Sequence, residues 1–438
     1  MSRIKLVFFA LVVAGLSSIG VAACGSSDDE STTASDSGGS GATSLDLTIG
    51  DLIPLTGDLS DFGPPGDKAA NLAVDKINEA IKEVGADHTV TLKTEDDQTS
   101  DQAGVSAARK LVGDGASCIA GSWASSVTIP VARSVAIKEG VLEISPASTS
   151  DEITGLDDNG LINRTAPPDS FQGPTLADAI AKDLGGAEGK TVNIGARNDS
   201  YGTGLAKTFS DAWEAQGGTI GQEVIYDPEA ATYDSEAAKI TSGNPDTTVI
   251  IDFPETFAKV GPALVRTGNY DPKTTWGTDG LASSSLPKDV GTDVTEGFRG
   301  TAPGTPDKDE TTKAFDQAYT AADPKDVDRQ TFDAQNFDAV VLCYLAAVAA
   351  GSTDGTEMAA KVQDISAPPG DPFTWEQLPE AIKALENGDD IDYQGASGAI
   401  DMDENGDATA GVYDIYQYKG TALDLVGEVP VDTGESSQ

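Results

Sequence analysis

The sequence predicts an α/β protein of two lobes, and three observations carry that expectation. From residue 45 onward strand-like and helix-like segments alternate as β-α-β-α-β-α-β, which implies a parallel sheet with helices on both faces. The alternation breaks near Pro167-Pro168 and then restarts as a second series of the same units. Once an N-terminal leader and tether are set aside, roughly 390 residues are left to fold, enough for two large lobes. A second crossing is expected at 298–303, so the predicted fold class is two Rossmann-like α/β lobes joined by a multi-strand hinge.

The chain begins with a positive segment (Arg3, Lys5) and an apolar run over 6–16, which suits a signal h-region and is short for a membrane span. Val21-Ala22-Ala23-Cys24 then resembles a bacterial lipoprotein signal, in which the cysteine thiol is acylated and the peptide is cut before it. Two or more acyl chains give a stable membrane anchor where one is marginal. Residues 25–44 hold no large apolar side chain, so they cannot pack and are expected to form a flexible tether.

The first folded series has strands at 45–53, 89–94, 117–121 and 141–145, with helices at 65–82, 101–112 and 125–139. Helix 65–82 places Ala69, Leu72, Ala73, Ile77 and Ala80 on one face. After the crossing at 161–168 come helix 171–184 and strand 191–196. Three helix–strand pairs follow: 204–216 with 221–226, 235–242 with 247–253, and 255–267 with 273–277. Helices at 310–322, 331–350 and 374–386 precede strands at 395–401, 411–418 and 422–429. The expected organisation is a signal at 1–23, lipidated Cys24 and tether over 24–44, an N-terminal lobe of 45–166 plus 299–392, and a C-terminal lobe of 167–298 plus 393–438.

Composition excludes several functions. A formal charge of −44 repels nucleic acid and anionic lipid, so neither is an expected partner. His88 is the single histidine, it opens a strand, and no Gly-x-Ser-x-Gly elbow lies near it, so a serine or cysteine hydrolase is disfavoured. There is no Cys-x-x-Cys pair, and no metal or other cofactor is expected. Residues 401–407 (DMDENGD) match the first half of a calcium loop, but position twelve is Val412 and strands flank the segment, so an Asn-Gly hairpin turn accounts for it. Besides Cys24 there are Cys118 and Cys343; export permits a disulfide, and two buried free thiols are the preferred expectation.

The chemistry that remains sits in loops after the strands. Ser122-Trp123-Ala124-Ser125 opens a helix, where hydroxyls and free N–H groups suit a carboxylate. Ser148-Thr149, Asp199-Ser200-Tyr201-Gly202 and Asp279-Gly280 occupy equivalent places, although Ser125 and Thr149 could equally be plain N-caps.

Together with IPLTGDLSDFG, the block AGSWASSVTIPVARSVAIKEGVLEISPASTSDEIT, NDSYGTGLAKTFSDAW, GTDGLASSSL, GFRGTAPG and QNFDAVVL, these loops resemble the type I periplasmic binding proteins, specifically the leucine/isoleucine/valine-binding family of branched-chain amino acid ABC transporters, over about 45–429. The resemblance implies that Ser125 binds the ligand α-carboxylate and that Thr149 and the backbone of Ser148 hold its amino acid moiety. It further implies that Tyr201 comes in from the second lobe and that Asp279 pairs with the α-ammonium. Phe62 would stand at the cleft mouth, and Trp123 would line the side-chain pocket at a position that is often smaller. Asp252-Phe253-Pro254-Glu255 departs from the family pattern and yields no assignment.

The implied function is an extracytoplasmic binding protein, not an enzyme, held on the outer face of the cell membrane through Cys24. It would be a monomer that takes a branched-chain or other neutral amino acid to ABC permease subunits. An amide, urea or aromatic acid as ligand is the alternative within the fold, and a surface hydrolase is the alternative outside it.

Overall fold

Leu45–Ile53 (β1) is buried along nearly its whole length, as befits the inner strand of a sheet covered on both faces. In the computed structural model, which describes residues 44–306 and 310–432, it pairs in parallel with β2 (His88–Asp96) and β3 (Ala116–Gly121). Then come β4 (Leu142–Ser145) and β5 (Ile162–Arg164), and the all-parallel sheet has the order β2-β1-β3-β4-β5. The signal segment, Cys24 and the tether lie outside the described residues.

The second sheet contains β6 (Thr191–Arg197), β7 (Thr219–Tyr226), β8 (Thr247–Ile251), β9 (Thr275–Gly277) and β10 (Arg299–Pro303). A third, small sheet joins β11 (Asp371–Thr374), β12 (Ile391–Gly395) and β13 (Gly398–Ala399). The long strands β14 (Ala410–Lys419) and β15 (Ala422–Asp432) return to the second sheet, giving it the order β15-β14-β10-β9-β8-β6-β7. Without that antiparallel pair, β7-β6-β8-β9-β10 repeats the order of the first sheet. In both sheets the order reverses beside the first strand of the series, and loops at such a switch point are where α/β sheets bind ligands.

Two strands stand elsewhere than the sequence boundaries suggest. Arg299–Pro303, expected to begin the return to the first lobe, is hydrogen-bonded between β9 and β14, so the crossing follows it. Residues 393–402, expected in the second lobe, pack with the first: Tyr393, Ala396, Ile400 and Met402 belong to the apolar core of the first sheet. In each lobe the chain leaves after the fifth strand, and a third crossing precedes β14.

Helix Asp333–Ala350 has almost no polar face and is buried nearly throughout, packed on the first sheet and on helix Gly63–Val84. This packing corrects the free-thiol expectation. Cys343 on that helix and Cys118 on β3 form a disulfide with their Cα atoms 5.8 Å apart. Both thiols lie in one dry layer, and 225 residues separate them in sequence. His88 is also a core residue, its Nδ1 2.9 Å from the Tyr344 hydroxyl.

Candidate functional site

The two switch points face each other. From the first lobe, the β1 loop supplies Leu59 and Phe62, the β3 loop supplies Trp123, Ala124 and Ser125, and the β4 loop supplies Ala147. From the second lobe, Tyr201 follows β6, Phe253 follows β8, and Asp279 and Gly280 follow β9. With Phe332 these residues enclose one cavity, so Phe62, Trp123, Ser125, Tyr201 and Asp279 of the sequence-derived set converge. Ser148 and Thr149 are fully buried in the β4 loop.

The first-lobe loops are tied to one another. The Ser148 hydroxyl donates to the Trp123 carbonyl (3.0 Å) and lies 2.7 Å from the Thr128 hydroxyl. The Ser150 N–H donates to the Ser125 hydroxyl (3.2 Å), which leaves the Ser125 proton free to donate. Arg164, wholly buried at the end of β5, donates to the carbonyls of Ser148 (3.3 Å) and Ser150 (2.9 Å) and is neutralised by Asp407 (2.6 Å). The calcium-like segment thus has a structural use. Asp403 accepts from the N–H groups of Asn405 and Asp407 in a tight turn, and Asp407 braces the guanidinium behind the Ser148–Ser150 loop. Gly406 closes that turn at φ +74°, and a Cβ there would lie 2.5 Å from the Ile162 carbonyl. No group of three or more potential metal ligands occurs among the described residues.

The second-lobe wall is acidic. Tyr201 donates to Asp279 (2.8 Å), and its hydroxyl is 2.7 Å from that of Thr278. Burial pushes the Asp279 carboxyl up to about 6, with Tyr201 and Gln172 opposing the rise. Asp169, the first residue of helix Asp169–Leu184, is fully buried, and neither carboxylate oxygen has a hydrogen-bond partner. Burial, and then the charge of Asp279, raise its pKa well above the carboxylate range, while Thr149 and Arg164 act against this. The Thr149 hydroxyl faces Asp169, and neither group reaches hydrogen-bond geometry with the other or with a third partner. Two buried acids and a free hydroxyl in one polar corner leave a demand for a cation with several N–H donors.

Hydrogen bonds cross the cleft at its rim. Asp58 accepts from Arg197 (3.0 Å) and Thr256 (3.1 Å), and Asp61 accepts from Ser283 (2.6 Å) and from Ser285. The Arg197 guanidinium stacks on Phe253 (3.7 Å to the ring centroid), and Phe253 stacks on Tyr201 (5.1 Å). The closed rim is therefore continuous with the wall that carries Asp279.

A family model described as periplasmic binding protein matches residues 46–422. The chain belongs to the periplasmic binding protein family. It is 29% identical over 396 residues to Leu/Ile/Val-binding protein homolog 3 of Brucella melitensis, covering 86% of this chain and 92% of that one. Among solved structures, a leucine-binding protein of Thermotoga maritima superposes with a TM-score of 0.70 at 22% identity, covering 88% of this chain and 99% of its own. A solute-binding protein of Rhodopseudomonas palustris in complex with benzoate superposes at 0.67 and 18% identity, covering 89% and 98%. The fold is the type I periplasmic binding protein fold, and the chain is an extracytoplasmic solute-binding protein rather than an enzyme.

Two residues that line this binding protein's cavity, Phe253 and Phe332, and one buried acid beside Asp279, Asp169, escape the sequence reading. Asp169 hides behind Pro167-Pro168, which read as a crossing and nothing more. Phe253 stands in the segment that departs from the family pattern. Phe332, at φ +73° just before helix Asp333–Ala350, is placed by a left-handed cap that no local pattern announces.

Proposed function

We propose that this protein captures a neutral α-amino acid between its lobes and delivers it to the permease of an ABC importer, as a monomer held to the membrane through Cys24. The polar corner carries this reading. The side chains of Asp169, Asp279 and Thr149 offer acceptors for the three N–H bonds of an α-ammonium, and burying both acids without a cation is costly. Across from them, the Ser125 hydroxyl and the backbone N–H groups of the helical run that it opens suit the α-carboxylate. The names of the curated relatives, Leu/Ile/Val-binding and leucine-specific-binding proteins, point to the same ligand class. The crossings between the lobes supply the hinge, and the bonds from Asp58 and Asp61 hold the closed form.

The aromatic lining favours a second reading, a flat aromatic acid, as in the benzoate-bound neighbour. Benzoate brings no cation to Asp169 and Asp279, so the two readings separate cleanly. Calorimetry on the mature protein is expected to show binding of an α-amino acid and at least hundredfold weaker binding of its deaminated analogue. Equal affinities would overturn the amino acid assignment. Membrane partition tests the anchor, since Cys24→Ala is expected to release the protein.

A further inference from the structure

The apolar end of the cavity is filled by one side chain. Trp123 is almost fully buried, and its indole is held on two sides. Its six-membered ring lies over Gly66 in the first turn of helix Gly63–Val84, so tightly that a Cβ at Gly66 would come within 2.7 Å of Cη2. Phe332 meets the indole edge-on, with centroids 6.3 Å apart at 81°. Phe332 is itself buried, at the left-handed residue that caps helix Asp333–Ala350. Phe62 and Phe253 complete the walls. The whole cavity between the closed lobes has only about 10 Å³ free, room for about one water, so any amino acid, glycine included, is admitted only when the lobes part, and the size limit rests on the packing around Trp123 and not on this volume.

Lobe opening separates Trp123 from Phe253 and Tyr201. Trp123 and Gly66 belong to the first lobe, and Phe332 begins the helix that packs on the first sheet, so the three are expected to stay together. When the lobes close over a ligand, the space for its side chain is bounded by this indole, packed against Gly66 and Phe332. We propose that Trp123, braced by Gly66 and Phe332, sets the size limit of the pocket, and that the ligand is a small neutral α-amino acid of the size of glycine, alanine or serine rather than a branched-chain one. This rests on the α-amino acid reading above and narrows it. Packed interiors accommodate extra methylenes poorly, so the discrimination against leucine is steep.

The test is a calorimetric series on the mature protein with glycine, alanine, serine, leucine, isoleucine and benzoate, repeated for Trp123→Leu and, in case that variant folds poorly, Trp123→Phe. Wild type is expected to bind alanine or serine at least tenfold more tightly than leucine. Trp123→Leu is expected to gain at least tenfold for leucine while alanine weakens by no more than about tenfold, with Trp123→Phe intermediate. Wild-type preference for leucine or isoleucine over alanine overturns the size limit and leaves the α-amino acid reading standing. A wild type that prefers alanine, with no gain for leucine in either variant, overturns the role of Trp123. Failure of every amino acid to bind, with or without benzoate binding, overturns the α-amino acid reading and this inference with it.

Discussion

The first-lobe wall of the cleft is built from neutral hydroxyls that bond its own loops together, whereas the second-lobe wall is built around two buried acids, Asp279 held by Tyr201 and Asp169 without a hydrogen-bond partner. Ser125, Ser148 and Thr128 join the β3 and β4 loops, and Arg164 holds the β4 loop from behind. Asp169 and Asp279 instead sit buried with protons held to unusually high pH. Both walls occupy the same place in the same strand order, so topology decides where the site is and side-chain chemistry decides what each half does. On the proposed amino acid reading, the first wall suits an anion and an apolar side chain, and the second, with its two buried acids, suits a cation, which would favour closure over a ligand.

The sharpest test of this contrast separates binding from folding. Asp279→Asn keeps size and removes charge, and it is expected to cost about 2–5 kcal/mol of binding, as for breaking a buried charge pair. Asp169→Asn is expected to weaken binding comparably and to raise the melting temperature of the ligand-free protein, because a buried acid without partners opposes folding. A lower melting temperature with unchanged affinity would make Asp169 an ordinary structural residue.

On the first wall the same kind of change acts on the fold. The Cys118–Cys343 bond ties β3, which carries the Trp123–Ser125 loop, to the helix that follows Phe332. Closing so long a loop stabilises by about 2–5 kcal/mol. Cys343→Ser is therefore expected to unfold at markedly lower denaturant concentration, with affinity changed by less than about threefold at a temperature where it stays folded. A large loss of affinity in the folded variant would show that the first wall is less rigid than described. Ser125→Ala is expected to cost about 1–3 kcal/mol of binding, less than Asp279→Asn, since the backbone N–H groups remain.

Acidity offers a further separation. Asp279 titrates near 6, and Asp97 and Asp252 near 7, each raised chiefly by burial. A raised carboxyl binds more protons folded than unfolded, so its contribution to stability is most favourable below the unfolded carboxylate pKa and declines as pH rises through the folded value. The ligand-free protein is expected to melt higher at pH 5 than at pH 8. Amino acid affinity is expected to move oppositely, falling below about pH 6 as Asp279 takes up a proton. Parallel trends in the two quantities would contradict the proposed ammonium pairing.

The fold was legible in the sequence because alternation of strand and helix is a local pattern, and the loops after the strands followed from it. What was not legible depends on distant partners. Cys118 and Cys343 read as separate buried thiols because only tertiary packing brings helix Asp333–Ala350 onto β3. Arg299–Pro303 looks like a crossing because it is short and ends in proline, yet β14, more than 100 residues later, pairs with it. The small third sheet is hard to see because Asp371–Thr374 is polar and half exposed, with no period-two pattern. Helix Gly355–Ser366 does carry a periodic face, Met358, Ala359, Val362 and Ile365, but it lies so close behind the longer apolar helix that its pattern merges with that of its neighbour.

The smallest expected effect lies at the rim, where the two walls touch without a ligand. Asp58 from the β1 loop reaches Arg197, which Asp199 and Asp252 already neutralise in the second lobe. Removing the Asp58 charge therefore leaves no orphaned guanidinium. Arg197 is buried and Asp58 about a quarter exposed, so salt screens the Asp58 side of the pair, and with Arg197 still neutralised its loss costs on the order of 1 kcal/mol. That energy exists only with the lobes together, so it affects how long the closed form lasts and not how a ligand first meets the open first-lobe wall. Asp58→Asn is expected to speed ligand release about two- to fivefold at low ionic strength, with an unchanged association rate, and to match wild type more closely at high salt. Stopped-flow release kinetics at two salt concentrations measure this. A change confined to association would place Asp58 on the ligand's entry path instead of in the closure of the cleft.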